Sequence, residues 1–150
     1  MSNKKQTIDK TYQANELLYI RCRADIEVQE SGKCKIGGNR PAFSKILKQP
    51  MYNCTSGPYY SLLTGREYQK DRFLILIDVD AKEEGETRNG LELMELLNFD
   101  QYGAPKQATP SKGFHYLFYA DPEQKQNLPA ARTTLQYQGK TYNVDMNFTN

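Results

Sequence analysis

The sequence predicts an α+β fold, with a mixed, largely antiparallel sheet and flanking helices. Three observations carry that expectation. Phe73-Leu74-Ile75-Leu76-Ile77 is an unbroken apolar run, as expected of a strand buried on both faces. Short apolar segments flank turn formers at Ile26–Val28 and Cys34–Ile36, and again at Thr134–Gln138 and Thr141–Met146. Such pairs read as hairpins, whose strands are antiparallel. Segments 42–48 and 90–99 place apolar residues at helical spacing.

The chain has 150 residues, with 25% charged and 38% hydrophobic. That suggests one globular domain, here placed at 11–150, behind a polar, disordered arm over 1–10. We expect it to stop short of its natural C-terminal boundary, because residues 143–150 read as mid-strand and the start of a loop. No apolar run is long enough to span a membrane, and the N-terminus lacks the apolar core of a signal peptide. A net charge of +2 permits nucleic-acid binding without indicating it. Cys22, Cys34 and Cys54 match neither a zinc spacing nor a disulfide framework. They read as reduced thiols of a cytoplasmic compartment. Eleven tyrosines suit strands and can also stack on bases.

Residues 11–23 fit a helix or a strand. The first hairpin surrounds Glu30-Ser31-Gly32-Lys33, since Ser-Gly forms turns. Gly37 to Pro41 is a loop, and Phe43, Ile46 and Leu47 then mark a helix that Pro50 ends. Tyr59–Leu63 reads as a strand closed by Thr64-Gly65, and 66–72 as a charged connection. The central strand runs from Phe73 to Asp80. The acidic run 81–86 is a solvated loop. Leu91, Leu93, Met94, Leu96 and Leu97 give the segment 90–99 a wide apolar helical face. A loop over 100–106 leads to a turn marked by Pro110 and Gly113. In the next strand, Phe114, Tyr116 and Phe118 face one way and His115, Leu117 and Tyr119 the other. Residues 121–131 are polar with room for a short helix, and the last hairpin turns at Gly139-Lys140.

The central strand ends in Asp78-Val79-Asp80, and alternation puts both carboxylates on one face. Two hard oxygen donors at a sheet rim suit a divalent cation. Strands often end in aspartate, so the pair gains meaning only beside His115 and Asp145. His115, the sole histidine, comes after the turn Ser111-Lys112-Gly113, and Asp145 sits in a third strand. Three carboxylates on adjacent strands can form a two-metal site for nucleotidyl transfer. His115, Lys112 and the backbone N–H groups of 111–113 can hold a triphosphate. Each residue also has a structural explanation: a strand histidine, an edge aspartate, a turn lysine.

Together, three ordered motifs resemble the prim-pol (bifunctional DNA primase/polymerase) domain of the archaeo-eukaryotic primase superfamily, found in large DNA viruses, phages and plasmids. They are Leu76-Ile77-Asp78-Val79-Asp80; Thr109-Pro110-Ser111-Lys112-Gly113-Phe114-His115-Tyr116-Leu117-Phe118; and Asn143-Val144-Asp145-Met146. Upstream, Gly38-Asn39-Arg40-Pro41 and Tyr60-Ser61-Leu62-Leu63-Thr64-Gly65 look like the family's preceding segments. The resemblance covers the chain from about Cys34 onward. It implies a primase-polymerase architecture with an RRM-like core. It also implies Mg²⁺ or Mn²⁺ on the catalytic carboxylates Asp78, Asp80 and Asp145, and nucleotide contact through Ser111 and His115. Lys112 joins them at the phosphates, and Arg40 and Lys45 are candidates for phosphate or template contact. The implied activity is primer synthesis in DNA replication. Its partners would be nucleoside triphosphates, a single-stranded DNA template and a fused or separate replicative helicase, with no membrane. The chain departs from the family at Lys112, where the family usually has glycine, and at its end, where the family continues with a glycine-rich segment. Competing readings are a metal-dependent nuclease, a non-catalytic single-stranded nucleic-acid-binding module and a purely structural domain.

Overall fold

The computed structural model describes residues 10–22, 25–30, 34–37, 59–128 and 133–147. The expected helix over 42–48, Arg40, Lys45 and residues 1–9 of the arm lie outside them. The chain gathers into two compact units: residues up to Leu63 with Tyr68–Lys70, and Thr64–Glu67 with Asp71–Thr149.

In the first unit the ambiguous stretch resolves into a helix and a strand in succession. A helical turn over 10–14 ends in a Schellman-type cap. Leu17 N donates to Tyr12 O (2.9 Å) and Glu16 N to Gln13 O (3.0 Å), with Glu16 at φ 56°. That site favours glycine, which is why the sequence hides the helix end. β1 (Tyr19–Cys22) then pairs antiparallel with β4 (Tyr59–Leu62). β2 (Asp25–Val28) and β3 (Cys34–Gly37) form the expected hairpin.

The second unit is built on β6 (Arg72–Val79), the expected central strand. α1 (Gly90–Leu96) comes next, capped by Asn89, whose side-chain oxygen accepts from Leu91 N at 2.9 Å. A 3-10 turn (Phe99–Tyr102) leads to β7 (Lys106–Ala108) and β8 (Phe114–Ala120). α2 (Pro122–Asn127) starts with a capping box between Asp121 and Gln124 and with Pro122 in its first turn. β9 (Thr133–Tyr137) and β10 (Lys140–Asn147) complete the unit. The strands form one antiparallel sheet, in the order β7-β8-β6-β10-β9, and β5 (Glu67–Gln69) beside β6 makes it six-stranded. The fold is therefore α+β with a largely antiparallel sheet, as expected. Among the described residues no helix is long and apolar enough to cross a membrane.

Connectivity and register together define two faces. β6 and β7 are both antiparallel to β8, so they run parallel with β8 between them, and α1 lies in that crossover. β8 and β10 flank β6 in the same way, with α2 in their crossover. Ile75, Ile77 and Val79 of β6 share a face with Tyr116 and Ala120 of β8 and Val144 of β10. These residues, with Leu93 of α1 and Tyr142 of β10, form the buried core, and Leu91, Met94, Leu97, Phe99 and Leu128 pack against it. The opposite face carries Leu74, Leu76 and Asp78.

The structure departs from the expected elements in three places. The charged connection contains β5, and the loop before Pro110 contains β7, whose three residues are all exposed and so lack an apolar pattern. The final hairpin turns at Gln138-Gly139, one residue earlier than expected. Both have positive φ (49° and 73°), as a type I′ turn demands, and this leaves Lys140 to begin β10.

Beneath the core, the Tyr116 hydroxyl donates to Asp100 Oδ1 at 2.8 Å, and Lys106 Nζ donates to the same oxygen at 3.2 Å. The Tyr116 bond, then Lys106, holds the Asp100 carboxyl below the ordinary value. Burial, then Asp100, pushes the Tyr116 hydroxyl up.

This packing makes stability depend on Leu93 and on Asp100 in different ways. Leu93 is 1% exposed, so Leu93→Ala should cost about 2–5 kcal/mol in denaturant unfolding. Because the Asp100 value is lowered on folding, its contribution is present above the unfolded carboxylate value of about 4 and is lost as pH falls through the folded value. Unfolding measured against pH should show an acid-side loss of stability below about pH 4 that Asp100→Asn reduces. An unchanged acid limb would contradict the assignment.

Candidate functional site

The sheet register gathers the separated motifs. Asp78 of β6 lies directly opposite Asp145 of β10 on one side and His115 of β8 on the other. Asp145 in turn faces Thr134 of β9, and His115 faces Gln107 of β7. Directly opposed residues of antiparallel strands project to the same face, about 5 Å apart at Cβ. Gln107, His115, Asp78, Asp145 and Thr134 therefore form a transverse row on the face opposite α1 and α2. His115 Nε2 stands 3.4 Å from Asp78 Oδ1. Asp145 is the one buried charged residue among those described, at 7% exposure, and its Oδ1 accepts from the Thr134 hydroxyl at 2.6 Å.

Asp80 lies one residue beyond the end of β6, two residues after Asp78. Its backbone is held on both sides: Asp80 N donates to Asn143 O, and Gly90 N donates to Asp80 O, each at 2.9 Å. The structure thus brings Asp78, Asp145 and His115 side by side and sets Asp80 at the rim. Among the described residues no three His, Cys, Asp or Glu groups converge on one ion position.

The donor chemistry nonetheless fits a hard divalent cation. Two carboxylates directly opposite each other repel, and a shared cation removes that cost. Asp78 and Asp145 supply oxygen donors of the kind Mg²⁺ and Mn²⁺ take, with Asp80 just beyond the strand end.

The turn between β7 and β8 places Ser111 and Lys112 beyond the carboxylate end of β6, because Phe114 pairs with Val79. Its geometry is a three-residue hairpin loop. Lys112 N donates to Thr109 O (3.1 Å), Thr109 N to Gly113 O (3.0 Å), and Gly113 N to Thr109 Oγ1 (3.1 Å). The backbone N–H groups of Lys112 and Gly113 are thus used inside the turn. Of the three N–H groups expected to face a phosphate, those of Lys112 and Gly113 therefore point into the turn, while the side chains of Ser111 and Lys112 are exposed. Lys112 has φ 66°, a conformation natural to glycine. Gly113 is buried, and an added Cβ would overlap the Val79 carbonyl oxygen. Gly90 is equally tight against the Asn143 carbonyl.

Sequence reasoning placed Thr109 in the second motif without assigning it the closing of the turn, and it missed Thr134, which holds Asp145. The Thr-Pro-x-x-Gly spacing could have revealed the first. Only register reveals the second.

Adjacent residues of the turn should therefore respond oppositely. Gly113→Ala should destabilise by about 1–3 kcal/mol, because backbone must move. Lys112→Gly should range from neutral to about 1 kcal/mol stabilising, since relief of the left-handed strain offsets the added chain entropy. Chemical denaturation of the two variants checks both signs.

No family model, curated protein or solved structure matches this chain.

Proposed function

We propose that the chain is a primase-polymerase domain, a template-directed nucleotidyltransferase that makes primers for DNA replication in the cytoplasm of a cell or virus-infected host. The observation that carries the reading is the register that sets Asp145, Asp78 and His115 side by side from three separated motifs. The two interlocked crossovers around β6 support an RRM-like core.

The reaction joins a 3′-hydroxyl oxygen to the α-phosphorus of a nucleoside triphosphate and releases pyrophosphate. Mg²⁺ or Mn²⁺, when bound, neutralises phosphate charge and eases loss of the hydroxyl proton. Asp78 and Asp145 hold the cation, with Asp80 at the rim. His115, beside Asp78, donates to a phosphate oxygen. Lys112 adds a positive charge and Ser111 a hydroxyl where the triphosphate tail would leave the sheet edge. Arg40 and Lys45 remain candidates for phosphate or template contact. The partners are triphosphates, single-stranded DNA and a replicative helicase.

The test is incubation of single-stranded DNA with α-phosphate-labelled triphosphates and Mn²⁺, and in parallel of end-labelled single-stranded DNA with Mn²⁺ alone. New labelled products that require the DNA and vanish in Asp78→Asn and Asp145→Asn are expected. Shortening of the labelled strand without triphosphates would instead establish a nuclease. Binding that persists without metal and in both variants would establish a non-catalytic module.

A further inference from the structure

We propose that Thr134 is a positioning residue, whose hydroxyl orients the Asp145 carboxylate for cation binding at the Asp78–Asp145 pair. This rests on the metal-dependent reading above. The Thr134–Asp145 bond, at 2.6 Å, lies in the range of a charge-assisted hydroxyl–carboxylate bond. The terminal torsion of an aspartate side chain is intrinsically broad, and each hydrogen bond to the carboxylate narrows it. Threonine is stiff at χ1, so a bond from it fixes the plane of the carboxylate. The β9–β10 ladder is irregular between Thr141 and Asp145 and resumes at the Asp145–Thr134 pair. Such irregularities re-aim side chains. Thr134 is itself exposed, so the core does not require it. Its role acts through the buried Asp145, on the flank opposite His115.

A purely structural role would be to satisfy a buried carboxylate, and the two roles separate experimentally. Thr134→Val keeps the shape and strand preference but removes the donor, whereas Thr134→Ser keeps the donor. Mn²⁺ affinity, measured by titration calorimetry with a deoxynucleoside triphosphate present, should weaken about 10-fold in Thr134→Val and recover in Thr134→Ser. The half-maximal Mn²⁺ concentration for nucleotide incorporation should shift in parallel, with the triphosphate KM at saturating Mn²⁺ unchanged. A lower melting temperature with unaltered Mn²⁺ affinity would overturn the positioning role while leaving the metal site intact. Absence of Mn²⁺-dependent binding in the wild-type chain would overturn both this inference and the reading beneath it.

Discussion

The register of β6 between β8 and β10 is the constraint on which everything else depends. Val79 and Val144 oppose each other and are fully buried, and Tyr116, opposite Ile77, is buried as completely. A slip of one residue would turn those side chains toward the other face. Packing of this face against α1 therefore fixes the register. The same register places Asp78 between Asp145 and His115 on the far face. The core does not touch the acidic row, yet it decides which residues stand in it.

That division explains features that would otherwise look unfavourable. Like charges directly across a strand pair cost stability, and the fold keeps Asp78 opposite Asp145. Lys112 sits in a left-handed conformation in a loop that Thr109 and Gly113 close by hydrogen bonds. Gly90 and Gly113 bring two loops against the backbone at the end of β6, where a single methyl group would not fit. The carboxylate pair, Lys112 and the two tight glycines thus lie toward one end of β6, while the other left-handed residues, Glu16, Asp71, Asn98 and Gln138, lie elsewhere.

Much of this was legible in the sequence. The apolar run 73–77 announced the central strand, and the alternation after Phe114 assigned His115 to its proper face. Asp78, Asp145 and His115 could be named as a group, but their direct opposition depends on pairing that local sequence does not encode. β7 was hidden because an exposed three-residue edge strand carries no apolar period. The final turn was displaced because Gln138, not an obvious turn former, takes positive φ there. Thr134 was invisible for a different reason: its importance comes from its partner across β10, not from its neighbours in the chain. The first unit offers a similar case, where Glu16 occupies a helix-ending position that usually signals itself as glycine.

The most direct test of the central claim is calorimetric titration of a deoxynucleoside triphosphate into the chain, with and without Mn²⁺, in the wild type and in Asp78→Asn and Asp145→Asn. The account predicts binding that requires Mn²⁺ and is abolished by either substitution in a protein that remains folded. Equal binding in all conditions, or none in any, would contradict the assignment of the Asp145–Asp78–His115 row as a metal–triphosphate site.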